Sequence, residues 1–174
     1  MSVLTYEECQ QKAFKNGNPG TNKLKEKYGS QILLENGDLD LKNVNKIVTS
    51  EFERTQLQSF ISYYTNIQIL KEIYRIAFKQ NENLFVLNAP NIFDSYLLKY
   101  MCFPIISVYV SSEQTQIQRL MEKDGILYEQ ASDLVKRESS LVQKCEKATI
   151  LLCNDGTKPQ LYNSISRKIP ELVL

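Results

Sequence analysis

Leu84-Phe85-Val86-Leu87-Asn88-Ala89, Ile105-Ile106-Ser107-Val108-Tyr109-Val110 and Thr149-Ile150-Leu151-Leu152-Cys153 are the stretches on which the fold turns. Each is short, largely apolar without strict alternation, and bounded by polar residues, Pro or Gly. That is the pattern of a strand buried on both faces of a parallel sheet. Helical segments separate them: about 92–100, then Glu113 to Lys123 capped by Ser112, then Tyr128 to Lys147. A last helix is predicted from about Pro159, a favoured first-turn residue, to Ile169. Strands alternating with helices predict an α/β domain, a parallel sheet flanked by helices.

Toward the amino terminus the pattern becomes helical. Val3-Leu4 is a brief apolar lead-in to Thr5-Tyr6-Glu7-Glu8, a capping box that predicts a helix to about Phe14. Asn16-Gly17-Asn18-Pro19-Gly20 breaks it, Thr21 can cap a short helix ending at Gly29, and Asn36-Gly37 marks a further turn. Asp40 can start a helix through Val48, and Ser50 with Glu53 repeats the capping box. From there to about Gln80, apolar residues recur at three- and four-residue spacings, the signature of a long amphipathic helix.

The 174 residues fit one domain with a core large enough to fold without staples. With 21 Lys+Arg against 20 Asp+Glu, overall charge points to neither DNA nor an acidic membrane. The four cysteines, Cys9, Cys102, Cys145 and Cys153, lack C-x-x-C spacing, which argues against a zinc site or a secreted disulfide framework. The absence of His removes Ser-His and Cys-His pairs and H-E-x-x-H zinc chemistry together. No signal pattern or long apolar run is present, so a cytoplasmic protein without a membrane span is expected.

The run Ala89-Pro90-Asn91-Ile92-Phe93-Asp94, followed by Val108 to Glu113, Gln116, Arg119, and Lys123-Asp124, resembles the dephospho-coenzyme A kinases. That family shows Pro-Leu-Leu-x-Glu after a strand, a strand ending in Ser-x-Glu-x-Gln, a helical Arg and an Arg-Asp pair. Asn154-Asp155-Gly156 resembles its Asp-Asn-x-Gly turn; Gly17-Asn18-Pro19, Tyr28-Gly29 and Gly37-Asp38-Leu39 fall where it has Gly-x-Pro, Phe-Gly and Gly-x-Leu. The resemblance implies a phosphate-loop kinase fold with a helical insertion over about 40–80 and lid-like helices over about 113–147. It also implies a first βα unit, with its Gly-rich phosphate loop, ahead of the position where this sequence starts, so a truncated version of that domain is expected.

Departures from the family pattern shape the functional expectation. The family's Asp-x-Asp, whose first Asp is the implied base for the substrate hydroxyl, falls on Thr5-Tyr6-Glu7. Its His-Pro falls on Tyr63-Tyr64, an Arg after Gly-x-Leu-x falls on Leu41, and the strand-following Glu is represented by Asp94. The Arg before Asp124 is Lys123, and a later helical Arg is Lys144. Phosphoryl transfer rests on positioning and charge neutralisation, and Lys in place of an Arg fork weakens bidentate phosphate capture. The remnant substrate and nucleotide cleft is therefore assigned to Thr5, Glu7, Leu41, Asp94, Arg119, Lys123, Lys144 and Asn154, with no catalytic residue and no metal ligand.

Several of these residues have plainer readings. Arg119 serves a phosphate or a helix-surface salt bridge, and Asp94 a ligand at a strand's carboxyl end or a helix cap. Lys12, Lys15, Lys23, Lys25 and Lys27 form a locally basic surface, either simply solvated or touching phosphate. Tyr63 and Tyr64 read as one packed and one surface ring, or as a stacking platform. The expectation is a non-catalytic kinase-like binding protein without cofactor, docking through the basic surface and paired tyrosines on a larger assembly such as a ribosome or other RNA-protein complex. Two alternatives stand: a divergent dephospho-coenzyme A kinase using ATP and Mg, its phosphate loop lying upstream or in a partner, and a regulatory subunit of a coenzyme A pathway enzyme.

Overall fold

A computed structural model describes residues 2–90, 92–95, 97–137 and 141–169. The chain forms two compact units, 1–92 and 93–174.

In the first unit, β1 (Ser2–Thr5) pairs in parallel with β2 (Phe85–Asn88), from Ser2 opposite Phe85 to Thr5 opposite Asn88. The sequence pattern marks Val3-Leu4 only as a lead-in, because four residues carry no periodicity of their own. What makes them a strand is a backbone partner about 80 positions away. Ser2 adds to this by donating its N–H and its hydroxyl to Glu82, each at 2.7 Å. Thr5 ends the strand and caps α1 (Tyr6–Ala13), its hydroxyl accepting from the Glu8 amide at 3.2 Å.

Helix α2 (Pro19–Tyr28) starts three residues earlier than a Thr21 cap predicts. Asn18 takes the extended N-cap conformation and Pro19 the first helical position, where a missing N–H costs nothing. Thr21 instead donates its hydroxyl to the Lys15 carbonyl at 2.8 Å. Gly29, at φ 81°, ends the helix. Asp40 caps α3 (Leu41–Ile47) as predicted, its carboxylate accepting from the amides of Lys42 and Asn43. The long helix is α4 (Glu51–Tyr74), continued by a π-turn over Arg75–Lys79; Ser50 sits at its N-cap but makes no side-chain cap bond. Phe14, Leu24, Ile32, Val44, Leu57 and Ile61 are buried together where α1, α2, α3 and α4 meet.

In the second unit, β3 (Ile106–Tyr109) lies parallel to β4 (Ile150–Cys153), with Ile106 opposite Ile150 and Tyr109 opposite Cys153. The helix expected over 92–100 is divided into a 3-10 turn (Ile92–Asp94) and α5 (Leu98–Met101). Ahead of α5 the Ser95 hydroxyl accepts from the Leu98 amide at 3.3 Å, and the helix starts after Leu97 without a side-chain cap bond. Helix α6 (Glu113–Asp124) runs from the Ser112 cap to Gly125 at φ 64°. The predicted helix 128–147 is found as α7 (Tyr128–Arg137) and α8 (Leu141–Lys147); positions 138–140 lie outside the described residues. Helix α9 (Lys158–Lys168) follows Thr157, whose amide donates to Gln160 Oε1 at 2.8 Å. Among the described residues no helix is long and apolar enough to cross a membrane.

Candidate functional site: the turns at the strand ends

Parallel α/β sheets place ligands beyond the carboxyl ends of their strands. In the second unit that position is occupied by the turn between β4 and α9, which is held from three sides. The Asn154 amide donates to the Tyr109 carbonyl at 2.8 Å, joining the turn to the end of β3. Arg119 Nη1, from α6, donates to the Asn154 carbonyl at 2.7 Å. The Asp155 carboxylate accepts from the Ser111 amide at 2.8 Å and from the Cys153 thiol at 3.2 Å. Hydrogen bonds from Ser111, then from the thiol, with the Arg119 charge nearby, hold Asp155 below the usual carboxylate range. Beside it, the negative charge that Cys153 can carry raises the Tyr109 phenol. A Cβ at Gly156 would collide with Gln160 Oε1, the atom that accepts from the Thr157 amide.

Arg119 and Asn154, both assigned from sequence, are thus brought into contact, with Arg119 bonded to backbone. Lys123 lies exposed in the last turn of α6, and Lys144 half-buried in α8. Asp94 closes the 3-10 turn after β2, while its side chain is outside the described residues.

In the first unit, Thr5 does sit at a strand's carboxyl end, but its hydroxyl is engaged as the α1 cap. Glu7 is exposed in the same first turn. Leu41 packs against the core cluster, which accounts for an apolar residue at that position. Tyr64 packs against Phe14 and Phe60, with centroids 6.1 and 4.8 Å away, whereas Tyr63 is 61% exposed. The split between one packed and one surface ring follows the expectation. Lys12 is drawn away from the basic surface by Glu72, at 3.0 Å. Lys15, Lys23, Lys25 and Lys27 remain exposed, Lys27 with its ammonium 4.9 Å from the Tyr28 ring centre.

Tyr109, Ser111, Cys153 and Asp155 complete the turn and are not among the site residues assigned from sequence. Asp155 carries a signal as part of Asn-Asp-Gly, but Ser111 acts through its backbone and leaves no mark in residue type. Glu72 was also missed. Its signal is an acid on the buried side of α4, three and four residues from Ile69 and Ile76.

The family model described as CoaE, dephospho-CoA kinase, matches residues 2–160. The chain belongs to the dephospho-CoA kinase family. The dephospho-CoA kinase of Oryza sativa subsp. japonica is 33% identical over 159 residues, covering 89% of this chain and 68% of that protein. A dephospho-CoA kinase structure from Campylobacter jejuni aligns with TM-score 0.68 at 18% identity, over 99% of this chain and 85% of that one. The TT1252 structure from Thermus thermophilus aligns with TM-score 0.75 at 19% identity, over 98% and 84%. At those identities the two structures show the fold alone, that of the phosphate-loop kinases.

ATP and Mg, the co-substrate and metal of this family, need a cradle of backbone N–H groups and an oxygen ligand set. The residues present fit this in part. The strand-end turn stands at the carboxyl ends of β3 and β4, the position at which α/β sheets take ligands. No described strand-to-helix turn contains more than one glycine, however, and no group of three or more His, Cys, Asp or Glu among the described residues is placed to hold a metal. The triphosphate cradle is not built by the described residues.

Proposed function

We propose that this chain forms the larger part of an enzyme that phosphorylates the 3′-hydroxyl of dephospho-CoA at the expense of ATP. In this reading the phosphate-cradling loop comes from residues outside these 174, upstream or in a partner chain. The observation that carries it is the family match, which spans residues 2–160 and so includes the clamped β4–α9 turn. The strands lend support. Two-stranded parallel sheets are too small to bury strands of this composition, and Val108 on β3 is left 55% exposed. Phe85, Val86 and Leu87 on β2 are only half-buried. A further strand beside them would complete such burial.

The test is dephospho-CoA-dependent ADP release by the complete reading frame, or by this chain with a partner that carries a G-x-x-x-x-G-K-[ST] segment. Turnover under either condition is expected. A folded protein that neither turns over nor binds dephospho-CoA by calorimetry overturns the reading.

One observation favours a second reading, a kinase-like binding or regulatory protein without turnover. The Thr5 hydroxyl is committed to the Glu8 amide where the family pattern has a carboxylate base. Under that reading dephospho-CoA still binds, ADP release stays at background when the phosphate loop is present, and Thr5→Asp raises it.

A further inference from the structure

Helix α4 has two opposed apolar faces, of which the first unit uses one. Leu57, Ile61, Thr65, Ile69 and Glu72, with Ile76 in the π-turn, are buried, and this face packs on α1 and the core. At 100° per residue, Phe52, Tyr63, Ile67, Leu70 and Tyr74 fall together on the opposite side. Phe78 continues the stripe through the π-turn, its ring centre 5.0 Å from that of Tyr74. Phe52 is 71% exposed, Tyr74 57% and Phe78 74%, so these rings have little cover among the described residues. Isolated exposed apolar residues need no explanation, but an aligned stripe of large rings marks a contact surface. Positions 52, 56, 59, 63, 67, 70 and 74 step by three and four residues, the spacing of a seam between two helices.

Charge selects the occupant. The amino-terminal turn beside Phe52 carries Glu51 and Glu53, and the far end of the stripe carries Lys71, Arg75 and Lys79. The basic end borders a groove of about 530 Å³ lined by Ile67, Leu70, Tyr74, these three cations and Glu72, which pairs with Arg75 at 2.7 Å and leaves the groove net positive. A helix running antiparallel with the same sequence presents an aromatic residue flanked by acids to an apolar groove flanked by bases, at both ends at once. We propose that α4 pairs antiparallel with α4 of a second copy of this chain about a two-fold axis at Tyr63. Tyr63 then meets its own counterpart, Phe52 faces Tyr74, Gln56 faces Leu70, and Glu53 lies beside Lys71 and Arg75. The contact is isologous and closes at two copies.

Sedimentation velocity of the full chain over a concentration series tests this. A dimer is expected. Tyr74→Glu, at an exposed site, should keep the far-UV circular dichroism of the wild type and weaken dimerisation by at least about tenfold. Glu53→Lys and Lys71→Glu should each weaken it, and the two together should restore it. A monomeric wild type at the highest soluble concentration overturns the proposal. A dimer that Tyr74→Glu does not weaken, or in which the double charge exchange fails to restore what each single exchange loses, overturns it as well.

Discussion

Glu72 is an acid in a place that ordinarily excludes one, with its side chain 9% exposed between two cations. Burial alone would push its carboxyl up. Hydrogen bonds from Lys12 at 3.0 Å and Arg75 at 2.7 Å outweigh that and leave it below its ordinary value of 4.5. A carboxyl depressed in the folded state contributes stability that is complete above the unfolded value and is lost as pH falls through the folded one. Lys12 and Arg75 are nearly half exposed, so solvent screening keeps the ion pairs' worth modest. Glu72→Gln should therefore cost about 1–2 kcal/mol at neutral pH. The difference should shrink as pH drops below about 4.5, where the unfolded wild type also takes up its proton. Urea unfolding of both proteins at neutral and acid pH measures this. The same carboxylate disfavours the Cys9 thiolate: burial first, and then the Glu72 charge, raise that thiol to about 11. Arg119 shows what residue type leaves open: its charge fits a phosphate or a salt bridge, and its position on α6 delivers one N–H to the Asn154 carbonyl.

Helix α2 approaches the core through a residue without a side chain. A Cβ at Gly20 would stand 2.8 Å from Phe14 Cε1 and 3.1 Å from Tyr64 Cγ, both belonging to rings that pack against each other. Gly20→Ala gains helix propensity in isolation but forces those rings apart. Overpacking of this kind should destabilise the chain by about 1–3 kcal/mol, read as a lower urea midpoint with an unchanged slope. At this scale much of the fold was legible beforehand. The apolar runs that became β2, β3 and β4 are long enough to show in composition, and the Thr5, Asp40 and Ser112 caps and the periodicity of α4 rest on residues a few positions apart. What was misplaced is equally local. Pro19 and Asn18 offered a better helix start than Thr21, and α5 begins anew after Leu97 where periodicity alone carries a helix through from 92 to 100.

For the whole molecule, 21 basic and 20 acidic residues leave little net repulsion, and the isoelectric point is about 7.6. Proteins near zero charge associate most readily at low ionic strength. The soluble fraction of the purified chain should pass through a minimum near pH 7.6 at low salt and recover on either side, a trend that light scattering follows directly. The amino-acid sequence by itself determined the α/β class, the order of most elements and the family, since periodicity, caps and motif order are properties of neighbouring residues. Only the tertiary structure made a strand of Ser2–Thr5, because a four-residue strand exists through a partner some eighty residues away. Only the tertiary structure brought Arg119 to the Asn154 carbonyl, paired Lys12 with Glu72, and buried Glu72 between two cations. In each case the role is set by which backbone or charge lies across the gap, and that neighbour is chosen by packing between segments far apart in the chain.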